Sequence, residues 1–220
     1  MMWCIGKLTM EYRHRMYGLL KLYAKPLNPL EPVVCVDEKS KQLLIQTRKT
    51  IQGKAGASEK EDYEYRRAGT RNIFVAVEPL GKFRKLSVTA RRTKVDFVTF
   101  IQDLATTTYA SAKKIHLVMD NLNTHFQKSF IDVLGTKDAR RLLRRLKFHY
   151  TPKHASWLNM AEIEIGIMDR QCTGCRFANE AALKTQVSAW ESARNLEGRG
   201  IQWKFTRQEA DKKLSRHYVS

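Results

Sequence analysis

The chain has 220 residues, enough for one domain of ordinary size and too few for two substantial ones. Lys and Arg number 40 against 22 Asp and Glu, a net charge of +18, and the 43% hydrophobic content excludes a disordered basic tail. Such a charge suits a polyanion, either nucleic acid or an acidic membrane surface, and a ribosomal protein would carry it equally well. No apolar run approaches a membrane-spanning length, and the first ten residues lack the apolar segment of a signal peptide. Cys4, Cys35, Cys172 and Cys175 are too few and too scattered for a disulfide framework. A reduced cytoplasmic setting is expected.

Residues 9–23 predict a helix, with Thr9 as cap and Met16, Leu19, Leu20 and Tyr23 as its apolar stripe. After the prolines at 26, 29 and 32, Val33 to Val36 reads as a short strand buried on both faces, ended by Asp37-Glu38-Lys39-Ser40. Leu43 to Ile45 is expected to be its return strand, and the polar residues 47–70 a long loop. Ile73 to Val77 and Phe83 to Thr89 flank a Pro79-Leu80-Gly81 turn and predict an antiparallel hairpin. Thr93 and Asp96 form a capping-box pattern before Val95, Val98, Ile101 and Leu104. Ile115 to Met119 is a second buried strand ending in Asp120, followed by a helix over about 123–134. Lys147 to Tyr150 is a third, and Pro152 stops it ahead of a helix near Trp157 to Glu162. The rest is mostly helical, with Trp190 and Trp203 as core anchors. The element order predicts an α/β fold, a mixed β-sheet flanked by helices.

Two strands thus finish in a carboxylate, Asp37 and Asp120. In open α/β sheets, ligands gather at the carboxyl ends of strands. Singly, each aspartate reads as an ordinary turn residue, and Glu162 as a partner of its helix dipole. Together the three supply the oxygen ligands that a hard divalent cation takes alongside a substrate phosphate. Two such ions can activate a nucleophile and steady a leaving oxygen in phosphodiester displacement. Glu164 falls about 200° around the helix from Glu162 and reads as a solvent-facing acid. Asp169 returns to the face of Glu162 about 10 Å further on. Glu38 alternates away from Asp37 if the strand persists.

The Cys172-Thr173-Gly174-Cys175 pair has no second pair at zinc-finger spacing and reads as incidental. His149 and His154 are wrongly spaced for a helical zinc pair. Gly53 to Ser58 lacks the order of a phosphate-binding loop, so no nucleotide cofactor is expected. Basic pairs recur at Arg66-Arg67, Arg91-Arg92, Arg140-Arg141 and Arg144-Arg145, with a basic tail from Lys204 to Arg216. Arg140, Arg141, Arg144 and Arg145 oppose Leu142, Leu143 and Leu146, which predicts a cationic ridge for phosphates on an amphipathic element.

Three blocks carry a resemblance: Val34-Cys35-Val36-Asp37-Glu38-Lys39, His116 through Asp120-Asn121-Leu122-Asn123-Thr124-His125, and Tyr150 through Trp157-Leu158-Asn159 to Glu162. In this order they resemble the catalytic blocks of bacterial insertion-sequence transposases of the Tc/mariner superfamily, over nearly the whole chain. The resemblance implies an RNase H-like fold with Asp37, Asp120 and Glu162 as a metal-binding triad for two Mg²⁺ or Mn²⁺ ions. It implies cleavage of double-stranded DNA at transposon ends and joining of the freed 3′-hydroxyls to target DNA, typically at TA dinucleotides. Asn121 and Asn159 match motif positions that orient carboxylates or touch the scissile phosphate, or serve as turn and cap. His125 contacts DNA, supports a carboxylate, or is a plain surface histidine. Arg91, Arg92, Arg140, Arg141, Arg144, Arg145 and Lys153 are the expected DNA contacts.

Relatives carry helix-turn-helix domains ahead of the catalytic core. Here residues 1–32 are expected to be a helix and a proline-rich linker, and 33–220 the catalytic domain, with the helix-turn-helix domain absent. The expected setting is the bacterial nucleoid, with a homodimer or assembly with a full-length transposase, and no membrane. A catalytically inert DNA-binding remnant that inhibits full-length transposase is the alternative, and a host RNase H-like nuclease a weaker one.

Overall fold

The computed structural model describes residues 7–48, 51–58, 63–120 and 126–219. Helix α1, Met10–Tyr23, starts where the Thr9 hydroxyl accepts from the Tyr12 amide, and its stripe Met16, Leu19, Leu20 and Tyr23 is buried. Strands β1 (Val33–Gln46), β2 (Tyr65–Glu78), β3 (Phe83–Thr89), β4 (Ile115–Met119) and β5 (Leu146–Tyr150) make a five-stranded sheet in the order β3-β2-β1-β4-β5. β1, β2 and β3 run antiparallel in sequence, while β4 is parallel to β1 and β5 parallel to β4.

β1 departs from expectation. The charged residues after Val36 do not end it, and Leu43 to Ile45 is its own continuation past a bulge between Gln42 and Leu44, not a return strand. Pairing with β4 covers only Val33 to Cys35, but β2 accompanies β1 out to Gln46. The ladder there is satisfied by the backbone of β2 whatever the side chains are. β2 accordingly begins at Tyr65, inside the stretch expected as loop; residues 49–50 and 59–62 of that stretch lie outside the described residues.

Helices α2 (Lys94–Asp103) and α3 (Gln127–Leu143) cover one face of the sheet. There Val34, Val36 and Phe74 meet Phe97, Ile101 and Phe130, each fully buried side chain contributing about 1.5–3 kcal/mol. The capping box of Thr93 and Asp96 forms as expected, though Val95 stays exposed. α3 runs nine residues beyond the predicted end, through a break at Gly135 (φ 75°), and takes Arg140 and Arg141 into its last turn. On the other face α1, α4 (Met160–Met168) and α6 (Arg207–Leu214) enclose Cys35, Val77 and Val118. α5 (Glu180–Leu196) packs Val187 and Trp190 over Val75 and Leu86, and Trp203 leans on Tyr23. Among the described residues no helix is long and apolar enough to cross a membrane.

Candidate active site

The register sets the two aspartates side by side. Cys35 is level with Val118 across the parallel β1/β4 pair. Asp37 and Asp120 each stand two residues beyond this pair, so both leave the ladder at the same end of the two strands. β4 stops at Met119, and from there β1 continues with β2 alone. Asp37 is therefore inside its strand, not at its end, at the point where the neighbour on one side has gone. This is the open crevice between strands that lead in different directions.

The third acid comes from the helix above. Asn159 caps α4, its side-chain oxygen accepting from the Ala161 amide at 3.2 Å. The same side chain is fully buried, and its amide nitrogen donates to the Val36 carbonyl at 2.9 Å and to Asp37 Oδ2 at 3.1 Å. Cap and orienting group are thus one residue: it starts the helix, ties it to β1 and aims the carboxylate. Glu162 follows three residues later in the first turn and is exposed. Asp37 Oδ1 accepts from the Glu38 amide at 2.8 Å. Burial, helped by the charges of Glu162, Asp120 and Glu38 and opposed by that amide, pushes the Asp37 carboxyl up to about 7.

The donors brought together are all carboxylate oxygens, the set suited to Mg²⁺ or Mn²⁺ rather than to a thiol-loving or imidazole-loving metal. Among the described residues no three metal-binding side chains close on one point. Asp37 nonetheless feels Asp120 and Glu162 through space, and a carboxyl raised to about 7 by burial, with acidic neighbours adding to it, is one whose charged form a cation would favour. Asn121 and His125 lie outside the described residues.

Glu164 overturns its expectation. It is fully buried, with Oε1 accepting from Arg84 Nε at 3.0 Å and Arg194 Nε at 2.8 Å, and Oε2 from the second Arg84 nitrogen at 3.1 Å. The network joins β3, α4 and α5. Its signal was in the sequence: Met160, Glu164 and Met168 share one i, i+4 stripe, but its arginines are far away in the chain. Asp169 binds Lys39 at 2.6 Å and the Thr173 hydroxyl, locking α4 to β1 at its other end.

The basic residues divide. Lys153 is exposed just beyond β5, and Arg92 lies 3.9 Å from Glu38 beside exposed Arg91. Arg140, Arg141 and Arg144 are exposed and form the expected ridge. Arg145 is a correction: its guanidinium turns inward to the carbonyls of Ala105, Tyr109, Ala110 and Ala112, stapling the turn after α2. A half-buried arginine with its donors spent on carbonyls is not a phosphate ligand. α3 carries the chain from the end of β4 that leads to Asp120 back to the start of β5, so the ridge lies toward the opposite end of these strands from the carboxylates. His149 pairs with His116, ring nitrogens 2.9 Å apart, and burial pushes it down to about 4. Cys172 and Cys175 are free thiols.

This sheet order, with helices on both faces and acids at the β1/β4 crevice, is the RNase H-like α/β fold. The pattern that defines DDE superfamily endonucleases matches residues 32–184, and the chain belongs to that family. Solved structures of Mos1 transposase share its fold. The paired-end complex with the left transposon end superposes with a TM-score of 0.60 at 14% identity, over 99% of this chain and 65% of that one. The Mos1 paired-end complex with Mg gives 0.57 at 14% identity, over 100% and 67%; that with Mn gives 0.56 at 14%, over 90% and 61%. The chain thus spans about 65% of the length of the first of these. No curated protein sequence matches it.

Proposed function

We propose that this chain is the catalytic core of a DNA transposase, cutting DNA at the ends of a mobile element and joining the freed 3′-hydroxyl to target DNA. The observation that carries the reading is the parallel pairing of Cys35 with Val118, each two residues before an aspartate, with Asp120 and Glu162 both near enough to raise the Asp37 pKa. Family membership supports it, as does the likeness to Mos1 structures determined with transposon-end DNA, Mg and Mn.

Asp37, Asp120 and Glu162 would hold two Mg²⁺ or Mn²⁺ ions. When bound, the ions supply an acidified nucleophile and charge neutralisation at the leaving oxygen. The chain's own residues do the rest. Asn159 keeps Asp37 facing the crevice, so that little reorganisation is left for the reaction. The basic surface, Lys153 nearest and the α3 ridge further off, holds phosphates without reading sequence. Water attacks the phosphodiester in the first step and a DNA 3′-hydroxyl in the second, each expelling a 3′-oxygen; bond number is conserved in the joining step, which needs no nucleotide. Insertion at TA dinucleotides, a dimeric or mixed assembly, and work on the bacterial nucleoid belong to the same reading.

A joining assay tests it. A short duplex with a free 3′-hydroxyl is incubated with supercoiled plasmid and Mn²⁺, and the junctions are sequenced. Covalent junctions that vanish in Asp120→Asn support the reading, and enrichment at TA supports the target. Junctions made equally by the variant would sink it.

A further inference from the structure

The turn into α4 carries an exposed but immobilised tryptophan. Trp157 shows 43% of its surface, although its ring packs against two aromatic neighbours. Trp203 lies behind it at 6.3 Å with the planes 19° apart, and Phe205 meets it edge-on at 5.5 Å. Trp203 is itself fixed, its N–H on the Phe205 carbonyl at 2.8 Å and its ring 5.3 Å from Tyr23. The exposed face is thus ordered before anything binds, which removes much of the entropic cost of stacking on it.

Its surroundings are cationic. Lys213 sits 5.6 Å over the Phe205 ring, Lys153 is exposed shortly before Trp157 in the chain and Lys204 directly after Trp203, and a groove of about 630 Å³ lined by Trp203 and Phe205 is bordered by Lys21 and Arg207. The active site is also near. Trp157 precedes by two residues the Asn159 that bonds Asp37, and two residues span at most about 7.6 Å between Cα atoms. That is the reach of about two nucleotides at 3.4 Å per step.

We propose that the Trp157 face, backed by Trp203 and Phe205, is a stacking platform for one unpaired nucleobase of the DNA strand beside the cleaved phosphate. The proposal rests on the DNA-cutting reading and adds a base-binding site to it. A base has two π-faces and the platform offers one rigid partner, so the contact is tolerant of sequence, and the flanking lysines hold the adjoining phosphates.

Three duplexes separate the possibilities in binding assays with EDTA present: blunt, with two unpaired 3′-terminal thymidines, and with the same overhang made abasic. The thymidine overhang is expected to bind the unaltered chain roughly 5- to 150-fold more tightly than the blunt duplex. The abasic overhang, which keeps the phosphates, should lose most of that gain. Trp157→Phe should keep it, and Trp157→Ala should lose it while binding blunt duplex within about twofold. A gain that persists without the bases, or in Trp157→Ala, overturns the platform, as does equal binding of all three duplexes. The comparison of overhangs on the unaltered chain stands even if Trp157→Ala folds poorly. Failure to bind the blunt duplex at all would instead remove the DNA-cutting reading, and the platform with it.

Discussion

Asp37→Asn keeps the shape of the side chain and removes the charge that its surroundings resist. The native carboxyl is pushed from an ordinary 3.8 up to about 7, with burial the largest cause and Glu162, Asp120 and Glu38 adding to it. That rise is about three units, each worth about 1.4 kcal/mol. Between pH 4 and 7 the native state keeps a proton that the unfolded chain has released. Stability from this group is therefore full below about pH 4 and falls by about 4 kcal/mol as pH rises through 7. The asparagine variant cannot ionise and escapes the fall. Against it stands a hydrogen-bonding mismatch: the Glu38 amide and Asn159 both donate to Asp37, while asparagine offers one acceptor oxygen. That mismatch costs about 1 kcal/mol at every pH. Urea unfolding at intervals from pH 4 to 8, in EDTA, should show the variant gaining about 4 kcal/mol on the native chain across the range. Excess Mn²⁺ should shrink the gain at pH 8, because it stabilises only the chain that binds it. A difference constant within about 1 kcal/mol over this range would refute the account of Asp37 as a buried carboxyl beside other acids.

Glu164→Gln leaves Arg84 buried beside a neutral partner and should cost about 3–5 kcal/mol, read as a lowered urea midpoint. Asn159→Ala should lose about 1 kcal/mol of helix cap and about 10- to 100-fold of metal-dependent activity through the freed Asp37; equal small losses in both would mark it as a cap alone. Arg144→Ala should make DNA affinity less steeply dependent on salt, by about one unit of log–log slope. Arg145→Met should destabilise the fold and leave that slope unchanged; a reduced slope would return Arg145 to the DNA surface.

Much of this was legible in the chain because local rules held. Thr9, Thr93 and Asn159 each cap the helix that follows, and the apolar runs at 33–36, 73–77 and 115–119 each lie in a buried strand. What escaped depends on pairing between distant segments. The charged run 37–42 stays in β1 only because β2 lies beside it, and nothing within that run says so. Glu164 looked like a surface acid because its two arginines come from β3 and α5, 80 and 30 residues away. Arg145 stands in a basic cluster whose other members face solvent; the carbonyls that capture it belong to a turn more than 30 residues earlier. The side-by-side placement of Asp37 and Asp120 follows from a parallel register that composition and periodicity do not encode.

The most direct test of the three-carboxylate site is nicking of supercoiled plasmid in Mn²⁺ by the native chain beside Asp37→Ala, Asp120→Asn and Glu162→Ala, with salt-dependent DNA binding measured on each. The account predicts nicking by the native chain alone, with binding retained by all four. Nicking by the variants at the native rate, or DNA binding without any nicking by the native chain, would contradict it.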